Sequence, residues 1–375
     1  MSALALHDSS PSPATLAELK RRVQASAAKK PGVYEFLDAM GGTIYVGKAK
    51  DLRTRLLSYF SASYPGSKSA RLVRCATDIR FRYVPSEFAA LLEEQRMISS
   101  LRPAYNVVGN SFRAGLAFIK MTTGPAPRLV VSEGARDATS LYYGPFRGRA
   151  ATADAVRTLV DLLGLRDCVE KQPMRFADQP SLFDAPVPPA CIRYDLGTCL
   201  GPCAARCSAG EYGAAAAHAR DFMEGRAAGP MDRILGTMAA AAESQEFERA
   251  GIWRGKFDQV TWLFAALARL RAAIEGLTFV YSVPDESGQN RDKLYCIRHG
   301  VVRAEVAPPT TPIERAALSE TARRLAIDSG PAPAAHNGAE MTQLLLVMSW
   351  FRNNPEEYER TSPYRRWITD RDGTA

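Results

Sequence analysis

The sequence predicts a mixed α/β fold of the α+β kind, laid out as successive segments. Three observations predict it. Near the N-terminus, short β-type runs ("GVYEF", "TIYVG", "FRYVP") alternate with stretches of helical apolar periodicity. In mid-chain a long, Ala-rich helical stretch follows a loop crowded with cysteines. The last segment returns to a β-hairpin and then to helices. No internal repeat is found.

The elements follow in order. Residues 1–16 read as a disordered tail, and "LAELKRRVQASAAKK" as a short basic helix. "PGVYEF" and "TIYVG" are strands separated by "LDAMGG", whose Gly41–Gly42 pair predicts an antiparallel hairpin. "AKDLRTRLLSYF" has helical periodicity with Asp51 as its cap. "FRYVP" reads as a third strand, and "SEFAALLEEQRMISSL" as a second helix ended by "RPAYN". Residues 17–108 thus form a β-β-α-β-α module. Residues 109–225 read as a linker region and a cysteine-rich segment, with strands "LAFIKMTT" and "RLVVSEG", a helix "TADAVRTLVDLLGL", and a Pro-rich loop between Cys168 and Cys191. The helical stretch that follows, broken near "AAGP" and "ESQEF", folds back on itself as a hairpin over 226–272. Residues 273–375 offer the hairpin "LTFVYSV" and "KLYCIRHGVVRAEV", then two helices.

The N-terminal stretch holds no apolar run long enough for a signal peptide or a membrane helix, and no later stretch does, which places the chain in the cytoplasm. Thiols stay reduced there, so a cysteine cluster points to a metal or catalytic site rather than to disulfides. Formal net charge is +8, and Ala17–Arg113 carries 17 Lys/Arg against 8 Asp/Glu. The first third therefore holds the whole excess, a distribution that suits a polyanion such as DNA.

Helical spacing places Glu94 with Leu91, Ile98 and Leu101, on an apolar stripe facing inward, while Glu93 falls off that stripe as a solvated charge. A buried carboxylate needs a cationic partner or a metal. Tyr34 and Tyr45 lie on adjacent strands, Lys48 and Arg55 follow toward the next helix, and Tyr59 lies one turn beyond Arg55. Phosphodiester hydrolysis needs a group acting on water, a cation for the developing phosphorane charge and a metal near the leaving oxygen. Tyrosines, Lys/Arg and one carboxylate can supply that set.

Those residues carry a resemblance. "GVY", "YVGKAKDLRTRLLSYF" and "LLEEQRMISSLRPAYN" resemble the signature of the GIY-YIG nuclease family in its UvrC-like form. The resemblance implies Tyr34, Tyr45, Lys48, Arg55, Tyr59 and Glu94 as catalytic residues, with Gly47, Arg53 and Asn106 completing a substrate-binding set. It implies one divalent ion, Mg or Mn, on Glu94. Tyr34 would act on the attacking water, directly or through Lys48. Arg55 would bind the scissile phosphate, positioned by Tyr45 and Tyr59.

Four thiols in one loop could hold zinc, an iron–sulfur cluster or nothing. No C-x2-C knuckle occurs: Cys191 and Cys199 enclose seven residues, Cys199 and Cys203 three. "LRDC…CIRYDLGTCLGPC" resembles the UvrC segment that binds a 4Fe–4S cluster, which implies Cys168, Cys191, Cys199 and Cys203 as ligands, with zinc as the alternative metal. The 22-residue gap between Cys168 and Cys191 exceeds the family's spacing, so Cys207 rivals Cys168 as fourth ligand. Cys75 and Cys296 read as core packing.

Within that gap "QPSLF" is similar to peptides that dock into bacterial sliding clamps, with Gln179, Leu182 and Phe183 as contacts. "MDRILGTMAAAAESQEFERAGIWRGKFDQVTWL" resembles the UVR motif, which implies UvrB as a partner through residues 231–263. The resemblance ends before the second, RNase H-like nuclease of UvrC, so the expectation is a short homologue. It implies a DNA endonuclease making a single metal-dependent incision 3′ to a lesion in nucleotide excision repair, within the SOS response to DNA damage. The rival expectation is a non-catalytic adaptor recruiting UvrB or the sliding clamp.

Overall fold

The structure, a computed structural model, describes residues 13–61, 67–106, 116–135, 137, 139–179, 189, 191–327, 333 and 335–368. These divide into two compact units. One comprises the described residues of Met1–Asn110, Thr278–Ser329 and Leu345–Ala375. The other comprises those of Ser111–Leu277 and Gly330–Leu344.

The first unit begins with α1 (Pro13–Ser26), β1 (Gly32–Leu37), β2 (Thr43–Ala49), α2 (Leu52–Phe60), α3 (Lys68–Cys75), β3 (Asp78–Tyr83) and α4 (Glu87–Leu101). The strands form an antiparallel sheet in the order β2-β1-β3. The hairpin turn is tied by Asp38, whose Oδ1 accepts from Met40 N (2.9 Å) and Gly42 N (2.8 Å), and Gly41 takes φ +79°. Asp51 caps α2 by accepting from Thr54 N at 2.9 Å. Ser86 caps α4 by accepting from Ala89 N at 3.1 Å. Helix α3 is an addition to the expected β-β-α-β-α order. Its sequence, "KSARLVRC", is short and basic, and its apolar face becomes legible only where Ala70, Leu72 and Val73 are buried.

One core of this unit gathers Leu19, Val23, Phe36, Leu52, Leu56, Leu72 and Val73 with Tyr34 and Tyr59. Val33, alternating to the opposite face of β1, packs with Val84 and Ala90 of α4. The sheet therefore lies between α1–α3 on one face and α4 on the other.

The second unit joins the segment read as linker and cysteine-rich region and the helical hairpin that follows it into one folded body. It holds a sheet in the order β5-β4-β6 from β4 (Leu116–Met121), β5 (Leu129–Ser132) and β6 (Leu141–Arg147), the last not foreseen from the sequence. Helices α5 (Arg149–Leu163), α6 (Ile192–Asp195), α7 (Ala209–Met223), α8 (Gly229–Glu243) and α9 (Phe247–Glu275) follow. The breaks before α8 and α9 fall at "AAGP" and "ESQEF", as the sequence indicates. A single core joins sheet and helices through Ile119, Tyr143, Leu159, Tyr212, Phe222, Leu263 and Leu267. Burial of such faces, at ~25 cal/mol per Å² of apolar surface, holds it together.

The chain then returns to the first unit with β7 (Phe279–Val283), β8 (Lys293–Arg298), β9 (Val301–Val306), α10 (Pro312–Ile327), the residues of α11 (Gly338–Asn353) from Leu345 onward, and β10 (Thr361–Ser362). Their sheet order is β10-β7-β8-β9. Val280, Leu294, Cys296, Leu318, Ala322 and Tyr364 form its core. Cys296 is thus core packing, as expected. Cys75 is not: it is exposed, and its Sγ lies 3.2 Å from the Tyr105 hydroxyl. Among the described residues no helix is long and apolar enough to cross a membrane.

Candidate active site

Strand pairing sets the first half of the site. Tyr34 lies opposite Gly47, and Tyr45 opposite Phe36, so the two tyrosines are diagonal neighbours on one face of the sheet. Their ring centroids are 6.2 Å apart, and Tyr59 of α2 lies 5.9 Å from Tyr34 and 6.5 Å from Tyr45. The Tyr34 and Tyr59 hydroxyls share a 2.7 Å hydrogen bond, and Arg55 Nε donates to the Tyr34 hydroxyl at 3.3 Å. The Arg55 guanidinium also lies over the Tyr59 ring, 5.2 Å from its centroid. Burial pushes Tyr34 up to about 12, and raises Tyr45 and Tyr59 likewise. All three are phenols at neutral pH.

Gly47 has a steric reason. A Cβ there would sit 2.4 Å from both Cζ and the hydroxyl of Tyr34. Only a residue without a side chain leaves room for that ring.

The second half comes from α4. Lys48 belongs to β2 rather than to the approach to α2, and its Nζ donates to Glu87 Oε1 at 2.8 Å. Glu94, two turns beyond Glu87 on the same face of α4, is half-buried. Burial raises its pKa, while the Lys48 and Arg55 charges and the Lys48 amide pull it back. Glu94 therefore sits in the electrostatic reach of Lys48 and Arg55, and its charge is one of the influences raising Tyr45. The stripe argued from spacing is only part of the story. Phe88, Ala90 and Leu92 are the buried positions of α4, whereas Leu101 is 47% exposed. Glu93, expected to be a solvated charge, instead pairs with Arg82 of β3 and lies 3.6 Å from Arg96.

Two expected substrate contacts are otherwise engaged. The Asn106 amide accepts from Val46 N (2.7 Å) and donates to Val46 O (2.8 Å), so it is committed to the main chain of β2. Arg53 Nη1 donates to Ala27 O at 3.1 Å. Glu87 was missed, although its spacing of seven from Glu94 on a helix was a readable signal.

Among the described residues no group of three or more His, Cys, Asp or Glu is placed to hold a single metal ion. A magnesium site built on one carboxylate and waters does not need such a group. Glu94 fits that requirement: it is partly desolvated and forms no ion pair with any described cation.

The cysteine segment lies in the second unit. Charges on Cys168 and Cys191 raise the Cys203 thiol after burial, and Cys191 and Cys203 act likewise on Cys199. Gly201 N donates to Cys199 Sγ, and Arg166 Nη1 to Cys168 Sγ, both at 3.4 Å. Arg193 pins the loop. It contacts Asp161 (2.9 Å), Asp167 (2.8 Å) and the Thr198 carbonyl (2.9 Å). Neither arginine was singled out from the sequence. Cys207 is buried among the apolar residues of the core, and burial pushes its thiol up to about 11. Gln179 Oε1 accepts from Phe176 N at 3.2 Å within its own turn, while Leu182 and Phe183 lie outside the described residues.

Residues 30–107 match the profile of the UvrC-like GIY-YIG domain, and residues 116–222 that of the UvrC/Cho excinuclease middle domain. Residues 30–107 are a UvrC-like GIY-YIG domain, followed by a UvrC/Cho-type middle domain. The UvrABC system protein C of Alcanivorax borkumensis is 34% identical over 228 residues, covering 60% of this chain and 36% of that protein. That of Sphingopyxis alaskensis is 32% identical over 247 residues, covering 66% and 37%. The chain thus spans well under half the length of the curated relatives it matches. The magnesium-bound GIY-YIG N-terminal endonuclease domain of UvrC from Thermotoga maritima is 37% identical, covering 24% of this chain and 96% of that one, with a TM-score of 0.21. Both halves of the site, Tyr34–Asn106, fall within the matched GIY-YIG segment.

Proposed function

We propose that this chain is a metal-dependent DNA endonuclease of excision repair, with one cleavage centre at Tyr34, Tyr45, Lys48, Arg55, Tyr59 and Glu94. The observation that carries the reading is the convergence of the Tyr34–Tyr59–Arg55 hydrogen-bonded cluster with a partly desolvated carboxylate, Glu94, in reach of Lys48 and Arg55. Glu94 would hold the divalent ion, which supplies charge neutralisation and a more acidic water. Arg55 meets the phosphate and stabilises charge developing on it. Tyr34 orients the water rather than serving as a resting base. With a pKa of about 12, its phenolate would cost roughly 7 kcal/mol at pH 7. The hydrogen bonds with Tyr59 and Arg55 fix the position of the Tyr34 hydroxyl. Lys48, held by Glu87, contributes a cation beside Glu94.

The basic N-terminal third suits the DNA backbone. Incision 3′ to a lesion is the polarity we infer from the family. Helices α8 and α9 present Leu235, Phe247 and Ile252 to solvent (39%, 72% and 63% exposed), an apolar surface suited to docking UvrB. For Cys168, Cys191, Cys199 and Cys203 we favour a 4Fe–4S cluster over zinc. A cluster binds each thiolate at a different iron, so its ligands stand farther apart than around a single ion. The N–H donors at Cys199 and Cys168 suit thiolate sulfur.

The test is incision of a 5′-labelled duplex with one bulky lesion by anaerobically purified protein, with and without UvrB. We expect a single magnesium-dependent cut 3′ to the lesion, lost in Glu94→Gln. DNA binding without cleavage under any of these conditions would leave the adaptor reading instead.

A further inference from the structure

The chain places its largest buried α4 side chain not on the GIY-YIG sheet but on the C-terminal residues of the same unit. On the sheet side α4 contributes Ala90, with Ala89 and Met97 partly buried, against Val33 and Val84. Phe88 is fully buried. Its ring lies 5.0 Å from Tyr295, 5.1 Å from Tyr281 and 5.4 Å from Trp350, the first two edge-on. That box is itself held: Trp350 Nε1 donates to the Tyr281 hydroxyl (3.2 Å), which donates to Glu357 Oε2 (2.7 Å).

Two further ties join the same partners. Glu286 N donates to Pro85 O at 2.7 Å, immediately before the helix cap. Two turns after Phe88, Arg96 pairs with Glu305 of β9. Arg96 also lies near Glu93, which pairs with Arg82 of β3. The helix is therefore gripped at its start, in its first turn and in its third. Two ties fix an axis, and the third fixes rotation about it. The face so fixed carries Glu87, adjacent to Phe88, and Glu94, two residues before Arg96.

We propose that the C-terminal segment is a positioning brace for the metal-binding helix: the aromatic box around Phe88 and the Arg96–Glu305 pair set the angle at which α4 presents Glu87 and Glu94 to the Tyr34–Arg55 cluster. Phe88, Trp350 and Glu305 are positioning residues; none touches the reacting atoms. The proposal rests on the reading of Glu94 as the metal ligand. A carboxylate that holds an ion with few protein partners depends on its orientation more than one in a crowded shell.

The experiment uses the full chain and measures Mn²⁺ binding in the absence of DNA, by electron paramagnetic resonance of the free ion. It is paired with melting temperature and with DNA affinity in chelator. Trp350→Ala and Glu305→Gln are compared with the conservative Trp350→Phe and with Glu94→Gln. We expect the first two to weaken Mn²⁺ binding roughly tenfold, the scale on which outer-shell supports act. Metal-free DNA affinity should stay unchanged, and Trp350→Phe should bind near the parental level. Glu305→Gln, with an isosteric side chain, keeps the test informative if Trp350→Ala fails to fold. Parental Mn²⁺ affinity in folded Trp350→Ala and Glu305→Gln, alongside its loss in Glu94→Gln, would overturn the brace and leave the metal site standing. Unchanged affinity in Glu94→Gln would overturn both.

Discussion

Replacing Gly47 by alanine puts a methyl group 2.4 Å from Cζ and the hydroxyl of Tyr34, and 2.9 Å from its Cε2. Ordinary contact begins about 1 Å farther out, so either the ring or β2 must move by about that much. The ring has little freedom. Tyr34 is 1% exposed, its hydroxyl is tied to Tyr59 and Arg55, and Phe36 packs against its edge at 5.9 Å. Overpacking of this kind costs about 1–3 kcal/mol, which for a chain of two compact units is a fall in melting temperature of roughly 3–10 °C. The catalytic loss should be larger in proportion. A displacement of about 1 Å in a group that orients water costs on the order of a hundredfold in rate. The assay is single-turnover cleavage of a lesion-containing duplex at saturating protein, beside a thermal melt of the same preparation. Combining Gly47→Ala with Tyr34→Ala should relieve the clash, so the two stability losses should be clearly less than additive. Parental cleavage and melting in Gly47→Ala, or strict additivity in the double variant, would refute the steric argument.

Alkaline stability should report the buried phenols. A tyrosine whose pKa is raised from 10 to about 12 favours the native state below pH 10, and that contribution disappears as pH rises through 12. For Tyr34 alone it amounts to at most about 3 kcal/mol, and Tyr34→Phe should flatten the fall in melting temperature above pH 10; equal slopes would contradict it. Asn106→Ala removes two hydrogen bonds to Val46 and should cost about 1–3 kcal/mol in a denaturant titration, with DNA affinity unchanged at low temperature. Weakened DNA binding without lost stability would restore Asn106 as a substrate contact. Binding of Mn²⁺ should weaken as pH falls through the raised pKa of Glu94, because proton and metal compete for one carboxylate. A flat pH profile in calorimetry would argue against Glu94 as ligand. Among the thiols, Cys168→Ser should lose iron on anaerobic purification while Cys207→Ser keeps it, since Cys207 is buried in the apolar core; the reverse result would make Cys207 the fourth ligand.

Residue order alone makes legible those parts of the protein that local rules govern. Gly41–Gly42 between two β-type runs marked the hairpin, and Asp51 marked a helix start. The breaks at "AAGP" and "ESQEF" marked the helix ends. The tyrosines, Lys48, Arg55 and Glu94 were legible because a dense signature fixes their order along the chain. Other features depend on neighbours distant in sequence. Helix α3 is too short and too basic to announce itself, and strand β6 carries Gly144 and Pro145 in its middle, so packing supplies what periodicity lacks. Glu93 looked solvated because its partner Arg82 lies across on β3, and Asn106 looked like a substrate contact because Val46 is 60 residues away. Spacing along α4 gave Glu94 an apolar stripe, but no periodicity within one helix can tell which of its faces a second segment will cover. Tyr281, Tyr295 and Trp350 cover Phe88, and with it they bear on how the helix is held. Side-chain order along one chain is a local property; which group fills a desolvated space is a property of the whole unit, because burial is shared among all the segments that exclude water from it.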